Sequence, residues 1–430
     1  MYGLKDFGVT KYVRYLKNGA KLVLLYKKNT PITTYIMFRA GSRNDPLGKE
    51  GLAHFAEHIA FKKTKKFKNE TEAGVYVEKL GAAINAFTWM DMLGFTITIG
   101  LPKDFPSSVT YLKELIKESR FNKKHVDLER GVVLREIGDS RANPDRFVDD
   151  ITTNLILQDT DTGRFTLGTS ETVNSIKIKD LRDFYKSMLN PDNMLVISCG
   201  DIKVDDMVKE FNSKFSLRTR KKPKARVVKA LPITRKKFID IVKYKGIEQV
   251  HLGFGFRTCT FSDDDSIVID LIGSVLSSGF SSSLFKELRT KRGLVYSIHM
   301  ENNFFTDAGY TAVFTATPKH NLNKVLGVIT LEFGRLCAGG VGLDEIKLAK
   351  NKIIKSKYRQ MQSSNSWVSA QFPEELFNPN KPRDLASWMN KIGKVSKSDI
   401  VRVSKKYFGK GKWYLGLCGD IEEKDFKVNY

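Results

Sequence analysis

The amino-acid sequence predicts an α+β fold of two similar domains, each a β-sheet with helices packed on one face. Three observations predict it: an internal duplication, a mixture of strand-like and helix-like segments in both halves, and a basic segment between the copies. At 430 residues and 41% hydrophobic content, the chain is long enough to bury more than one core.

The duplication is clearest where each half ends. The segment IKIKDLRDFYKSMLNPDNMLVISCGDI ends at Ile202, and the similar segment VSKSDIVRVSKKYFGKGKWYLGLCGDI ends at Ile421. Asp180 and Asp399 lie 219 residues apart, an offset that holds across both segments without a gap. Each copy has the pattern of an amphipathic helix followed by a strand. A period of this length indicates a duplicated domain rather than a solenoid.

Strand-like and helix-like segments are mixed throughout both copies. Strand-like runs such as TTYIMFRAG and VHLGFGF are interspersed with helical stretches such as SSVTYLKELIKES and DSIVIDLIGSVL. Such mixing is typical of sheets covered by helices. The predicted boundaries are a first domain at 1–216, a basic linker at 217–237 and a second domain at 238–430.

The net charge of +24 is concentrated in part between the copies. RTRKKPKARVVKALPITRKK, residues 218–237, contains ten Lys or Arg residues and no acidic one. It also lacks aromatic residues, on which the bases of single-stranded nucleic acids stack. We therefore interpret it as a solvated linker and expect no nucleic-acid partner, although binding of nucleic acid through charge alone stays an alternative. A basic surface also attracts acidic peptides.

Cysteine usage and hydropathy predict the compartment. The four cysteines are far apart in sequence, which favours neither a disulfide framework nor a C-x-x-C metal site. The apolar run KLVLLY is far shorter than the roughly 20 residues of a membrane-spanning helix. The first twenty residues lack the pattern of a signal peptide. We expect a cytoplasmic protein without a membrane partner.

The segment GLAHFAEHIAFKKTKKF, residues 51–67, contains His54 and His58 with Glu57 between them. Positions four apart share one face of a helix, so the two imidazoles could hold one zinc ion. Glu57 reaches the same side and could take a proton from a zinc-bound water. The alternative is an ordinary amphipathic helix, since Leu52, Phe55 and Ile59 form an apolar stripe. The H-x-x-E-H order matches the inverzincin signature and favours the metal site.

A third zinc ligand is expected from the segment LERGVVLREIGDS. Glu129 and Glu136 lie two helical turns apart and so project from one face of a helix. One could bind the metal while the other orients a ligating histidine. On spacing alone, two ordinary surface glutamates are an equal alternative.

These residues resemble a known family, the pitrilysin or insulinase-type zinc metallopeptidases, in particular the short-chain branch that includes the mitochondrial processing peptidase subunits. GLAHFAEHIAFKKTKKF resembles the zinc helix of that family, and ERGVVLREI resembles its acidic helix. The resemblance implies that His54, His58 and Glu136 bind Zn²⁺, that Glu57 is the catalytic base and that Glu129 is a supporting acid. It extends over nearly the whole chain.

Two further segments carry the resemblance. LGAAINAFTWMD, residues 80–91, is similar to the strand beside the active site of the family, which implies a substrate-binding strand formed by Asn85, Ala86, Phe87 and Thr88. GSVLSSGFSSSLFKELRTKRGLVYS, residues 273–297, is similar to a segment of the second domain, which implies catalytic roles for Arg289 and Tyr296. The implied architecture is a clamshell of two mainly antiparallel sheets, whose second domain completes the substrate site.

The duplication predicts where the metal does not bind. An offset of 219 residues carries the ligand positions onto Gly273, Ser277 and Lys355, none of which binds zinc at neutral pH. We therefore expect one metal site per chain, in the first half.

The predicted function is that of a zinc-dependent endopeptidase acting on peptides or flexible protein termini. A peptide would add as a strand to the sheet edge at Asn85 to Thr88. The resemblance implies a second chain that helps to enclose the substrate, a homodimer being the first expectation and a heterodimer the alternative. The rival function is a non-catalytic scaffold or peptide-binding subunit of a hetero-oligomer.

Overall fold

The structure of the protein is a computed structural model that describes residues 2–215 and 237–430. The predicted basic linker at 217–237 lies outside the described residues except for Lys237. Within the described residues, no helix combines the length and the apolar character that crossing a membrane requires.

Strands and helices occur in both halves of the chain, as the sequence predicts. Among the described residues the strands are β1 (Thr10–Tyr15), β2 (Lys21–Tyr26), β3 (Ile32–Phe38), β4 (Ala83–Thr88), β5 (Leu93–Ile99), β6 (Met194–Gly200), β7 (Ile239–Lys243), β8 (Gln249–Thr258), β9 (Ile298–Phe304), β10 (Gly309–Pro318) and β11 (Trp413–Gly419). The α-helices in the same ranges are α1 (Leu52–Ala60), α2 (Glu70–Lys79), α3 (Phe105–Lys117), α4 (Lys123–Ala142), α5 (Pro144–Ile156), α6 (Ser170–Ser175), α7 (Ile178–Met188), α8 (Val204–Lys214), α9 (Asp265–Ser277), α10 (Leu322–Cys337), α11 (Leu343–Gln360), α12 (Ser364–Phe377), α13 (Leu385–Lys394) and α14 (Lys397–Tyr407).

The strands form two sheets, which confirms the α+β class. The first sheet has the order β1-β2-β6-β3-β5-β4, and the second has the order β7-β11-β8-β10-β9. Both are mainly antiparallel, with one parallel pair each, β2 with β6 and β11 with β7. The duplicated segments become equivalent elements, since α7 leads to β6 as α14 leads to β11.

The compact units of the structure differ from the sequence halves in two segments. Within the described residues, the first unit consists of 2–137, 164–215 and 358–387, and the second consists of 138–163, 237–357 and 388–430. Helix α5 therefore belongs to the unit of the second sheet, and α12 belongs to the unit of the first. The sequence boundaries follow the duplication, whereas the compact units follow the packing of these two helices.

Helix α12 covers a second face of the first sheet. The hydroxyl groups of Thr33 and Ser364 are hydrogen-bonded at 2.8 Å, and the Tyr35 hydroxyl donates to Asn365 Oδ1 at 2.7 Å. Ile36 and Phe38 alternate to the opposite face, where they join the core that includes α1. This sheet therefore has helices on both faces rather than on the one face predicted, which explains why every residue of β3 is buried.

Helix α5 approaches the second sheet closely because glycines face it. A Cβ atom added at Gly253 or Gly416 would lie 2.2 Å from Thr152 Oγ1, and one added at Gly255 would lie 2.6 Å from Ile156 Cδ1. The alternating glycines of VHLGFGF, together with Gly416 of YLGLCG, thus leave room for a helix. The second sheet is covered on both faces as well, since α9, α10 and α14 share a core with its other side.

We predict that Gly51→Ala destabilises the protein by more than about 1 kcal/mol. Gly51 precedes α1 with a φ of 92°, and an added Cβ would lie 2.5 Å from the Leu167 carbonyl oxygen. Urea denaturation measures the free energy of unfolding. The control is Gly74→Ala in α2, where the Cβ enters open space and should stabilise the helix by about 0.5–1 kcal/mol. Equal stability of the two variants would contradict this account of Gly51.

Candidate metal centre

The N-terminus of helix α1, which carries both histidines, is held in place by hydrogen bonds. The Asp45 carboxylate accepts hydrogen bonds from the backbone N–H groups of Gly51 and Ala53, both at 2.9 Å, and so satisfies donors at the helix N-terminus. Four apolar side chains anchor the buried face of the helix: Leu52, Phe55, Ile59 and the small Ala56. His54 and His58 therefore leave the helix in one direction, one turn apart.

Three ligand atoms converge where α1 meets α4. The Nε2 atoms of His54 and His58 are 3.2 Å apart, and Glu136 Oε2 lies 3.7 Å and 3.6 Å from them respectively. Ligands about 2.1 Å from a tetrahedral zinc ion lie about 3.4 Å from one another. The donor set and its spacing therefore fit zinc. Glu136 comes from the exposed side of α4 and keeps 46% of its side chain accessible.

Glu129 contacts His58 from the opposite side of the imidazole ring. It is 5% exposed, and its Oε1 lies 2.8 Å from His58 Nδ1 while its Oε2 lies 2.8 Å from Lys62 Nζ. When Nδ1 carries the proton and donates to Glu129, Nε2 keeps its lone pair for a metal. Of the two acids that the spacing left open, Glu136 points to the ligand position and Glu129 to the orienting position.

The electrostatics of the two histidines differ. Burial lowers the pKa of His54 to about 3, with the charge of His58 adding to the effect, so this imidazole is neutral. Burial also lowers the pKa of His58, but the hydrogen bond and charge of Glu129 outweigh it and raise the pKa overall. His54 Nδ1 is buried and has no hydrogen-bond partner among the described residues. Only His58 thus has a carboxylate that fixes its tautomer.

Glu57 lies on the same helix and is hydrogen-bonded to β4. The Thr88 hydroxyl donates to Glu57 Oε2 at 2.6 Å. Burial raises the pKa of the Glu57 carboxyl, and the hydrogen bond from Thr88 partly opposes this shift. A carboxylate with a raised pKa beside a metal-binding cluster has the properties of a general base.

The predicted substrate strand is the terminal strand of the first sheet, β4. Asn85 is exposed, Ala86 is half-buried and Thr88 is buried against Glu57. The centroid of the Phe87 ring lies 6.1 Å from that of Tyr35 and 6.2 Å from that of Phe372, so its half-buried side chain packs against these rings. The backbone of β4 as the substrate-binding edge stays a prediction.

Arg289 and Tyr296 lie together in the second unit. The Arg289 guanidinium is 4.9 Å from the ring centroid of Tyr296 and 5.1 Å from that of Phe285, and Tyr296 is 81% exposed. Arg289 belongs to a π-helical turn at Phe285–Thr290, a geometry frequent at functional sites. The sequence paired Arg289 with Tyr296 but missed Phe285, which its spacing of four residues from Arg289 could have indicated.

Sequence reasoning also missed the supporting residues Asp45 and Lys62. Lys62 lies in the turn after α1, two residues beyond its last residue, Ala60, so helical spacing gives no signal for its contact with Glu129. Asp45 lies six residues before Gly51, too far for an ordinary capping signal. Thr88 was predicted to bind substrate, and the structure also shows it bonded to Glu57.

Comparison with known proteins identifies the family of this chain. A model described as Insulinase (Peptidase family M16) matches residues 22–170, and one described as Peptidase M16 inactive domain matches residues 175–353. Together they span more than half of the chain. The chain belongs to peptidase family M16. The predicted resemblance to insulinase-type peptidases is thereby confirmed.

Several known proteins match this chain over most of their own length. An uncharacterized zinc protease of Streptomyces coelicolor is 24% identical over 95% of this chain and 89% of its own. The beta subunit of the mitochondrial-processing peptidase of Bos taurus is 25% identical over 95% of this chain and 84% of its own. The crystal structure of a protease from Helicobacter pylori shares the fold with a TM-score of 0.85 at 22% identity, covering 95% of this chain and 99% of the other.

We predict that Glu129→Gln weakens zinc binding by about 10–100-fold. This is the usual loss when a carboxylate that is hydrogen-bonded to a metal-bound histidine is removed. The variant removes the charge that raises the pKa of His58, so fewer protons should be released when the metal binds. Chelator competition gives the affinity, and calorimetry in two buffers of different ionisation enthalpy gives the proton release.

Glu70→Gln is the matched control for this variant. Glu70 also pairs with Lys62, at 2.8 Å, but has no hydrogen bond to His58. Its loss should leave zinc affinity unchanged. An equal loss in both variants would show that Lys62, rather than the Glu129–His58 bond, controls the affinity.

Proposed function

We propose that this M16 chain is a zinc-dependent endopeptidase that hydrolyses peptides or flexible protein termini. The observation that carries the proposal is the convergence of His54, His58 and Glu136 on one point, with the carboxylate of Glu57 on the same helix. The names of the relatives support it, since they include zinc proteases and a processing peptidase subunit.

Each residue of the candidate centre has a separate role in the proposed chemistry. Zinc, when bound by His54, His58 and Glu136, polarises a peptide carbonyl and lowers the pKa of water. Glu57 accepts a proton from the attacking water and delivers it to the leaving amine. Burial raises the pKa of its carboxyl, which favours acceptance of that proton. Thr88 holds the carboxylate in position.

Substrate binding is proposed for the edge of the first sheet. β4 is the terminal strand, so a peptide could pair with its backbone and be recognised by extension more than by sequence. Arg289 and Tyr296 are proposed as catalytic residues on chemical grounds. A guanidinium and an exposed phenol hydroxyl both donate hydrogen bonds to developing oxyanions and to carboxylates. A homodimer and a cytoplasmic location stay predictions.

The rival function is a non-catalytic subunit that keeps the fold as a scaffold. The description of the second family model as an inactive domain concerns residues 175–353, and the candidate ligands and Glu57 lie outside that range. All the polar groups of the candidate centre are present in the first unit. The retained ligand set and base favour the peptidase.

We predict that Glu57→Gln lowers kcat by at least about 100-fold, because proton transfer by a positioned side chain contributes that much. Zinc content should stay at the wild-type level, since the metal ligands are intact. A quenched fluorescent peptide measures turnover, and elemental analysis measures the metal. Glu78→Gln on the exposed side of α2 is the control and should match the wild type. Undiminished cleavage by Glu57→Gln would favour the scaffold function.

We predict that Thr88→Val moves the acidic limb of the kcat/KM profile to higher pH. The Thr88 hydrogen bond lowers the pKa of Glu57, so its loss raises that pKa, and the base is then deprotonated only at higher pH. Thr98→Val is the matched control, because the Thr98 hydroxyl bonds Thr33 in the same sheet. Its profile should coincide with that of the wild type, and an unmoved acidic limb in Thr88→Val would exclude Glu57 as the titrating base.

A further inference from the structure

A second group of metal-binding side chains lies in the second unit. Asp149 comes from α5, and His299 and Glu301 come from β9. One ligand atom of each residue lies within 4.8 Å of those of the other two. All three residues belong to the second compact unit, although Asp149 lies in the first half of the sequence.

The fold brings these residues together from distant parts of the sequence. β9 is the terminal strand of the second sheet, and His299 and Glu301, two residues apart, project from the same face of it. Asp149 is separated from them by about 150 residues of sequence and reaches the cluster because α5 packs on this sheet. No local motif therefore indicates the cluster.

Neighbouring side chains hold His299 and Glu301 in place. The His299 ring stacks on that of Phe314, its partner in β10, with centroids 5.2 Å apart and an angle of 23°. Glu301 Oε2 accepts hydrogen bonds from the Tyr310 hydroxyl and from Asn303 Nδ2, both at 3.1 Å. Because both bonds use the same oxygen, the other one, Oε1, can face a metal. Such outer contacts are typical of ligands held for metal binding.

Asp149 has an unpartnered oxygen atom, which is a second observation that favours a cation site. Its Oδ1 is buried and has no hydrogen-bond partner among the described residues. Asp149 as a whole is half-buried, but a carboxylate oxygen buried without a partner is costly, and a cation would compensate its charge.

We propose that Asp149, His299 and Glu301 form a second metal site, which binds a divalent transition-metal ion of the zinc type. One imidazole nitrogen and two carboxylate oxygens suit zinc, whereas calcium and magnesium prefer sites of oxygen alone. A bound ion would cross-link α5 to the edge of the second sheet. The site is structural, and it stabilises the second unit independently of peptidase activity.

The test removes the first centre and counts the remaining zinc. His54→Ala/His58→Ala, dialysed against micromolar free zinc, should retain one zinc ion per chain by elemental analysis. Adding His299→Ala should abolish this binding or weaken it at least about tenfold. Loss of a metal ligand lowers the affinity at least as much as loss of a residue that hydrogen-bonds to a ligand. His320→Ala, an exposed histidine of the same unit, is the control and should retain the zinc.

A second variant and a second readout distinguish loss of the metal site from misfolding of the variant. Glu301→Gln keeps an oxygen for the Tyr310 hydroxyl while it removes the ligand charge. In the His54→Ala/His58→Ala background, zinc should raise the Tm, and Glu301→Gln should eliminate that rise. The proposal is overturned if the background variant binds no zinc, or if its zinc survives both His299→Ala and Glu301→Gln. Because the first centre is absent in these variants, the outcome is independent of the peptidase proposal.

Discussion

The hydrogen bond between His58 and Glu129 is the interaction on which the candidate centre depends. It joins α1 to α4, which brings Glu136 to the two imidazoles, and it directs the lone pair of His58 Nε2 away from Glu129. Glu129 is nearly inaccessible to water, so its charge requires compensation. Lys62 and His58 supply it, and their hydrogen bonds outweigh burial to lower the pKa of Glu129. The polar residues of the centre thus stabilise one another before any metal binds.

Much of this centre is predictable from local spacing. His54, Glu57 and His58 share one helix, and Glu129 and Glu136 share another, so helical periodicity alone places each set on one face. The spacing does not show which acid binds and which orients, because that depends on how α4 crosses α1. The family resemblance implies these roles, which stay predictions. The structure places Glu129 Oε1 2.8 Å from His58 Nδ1 and Glu136 Oε2 3.6 Å from His58 Nε2.

Other features depend on packing between distant segments and were missed for that reason. The position of α12 on the first sheet and of α5 on the second involves side chains more than 90 residues apart in sequence, such as Thr33 with Ser364. The glycines of VHLGFGF could have indicated a close approach to that strand, but not which helix makes it. The side chain of Phe87 is likewise half-buried although its strand lies at an edge, because α12 supplies Phe372 as a partner.

The placement of α5 and α12 determines how the polypeptide can be divided into fragments. A fragment that ends near residue 215 carries α5 without the sheet that it covers, and it lacks α12, which covers its own sheet. Val148, Ile151 and Leu155 of α5 would then face water, and so would the side of β3 that carries Tyr35. Two halves cut at the duplication boundary would each expose apolar surface and aggregate when expressed alone. Dissection of the two units requires transplanting residues 138–163 and 358–387, so that each sheet keeps its own covering helix.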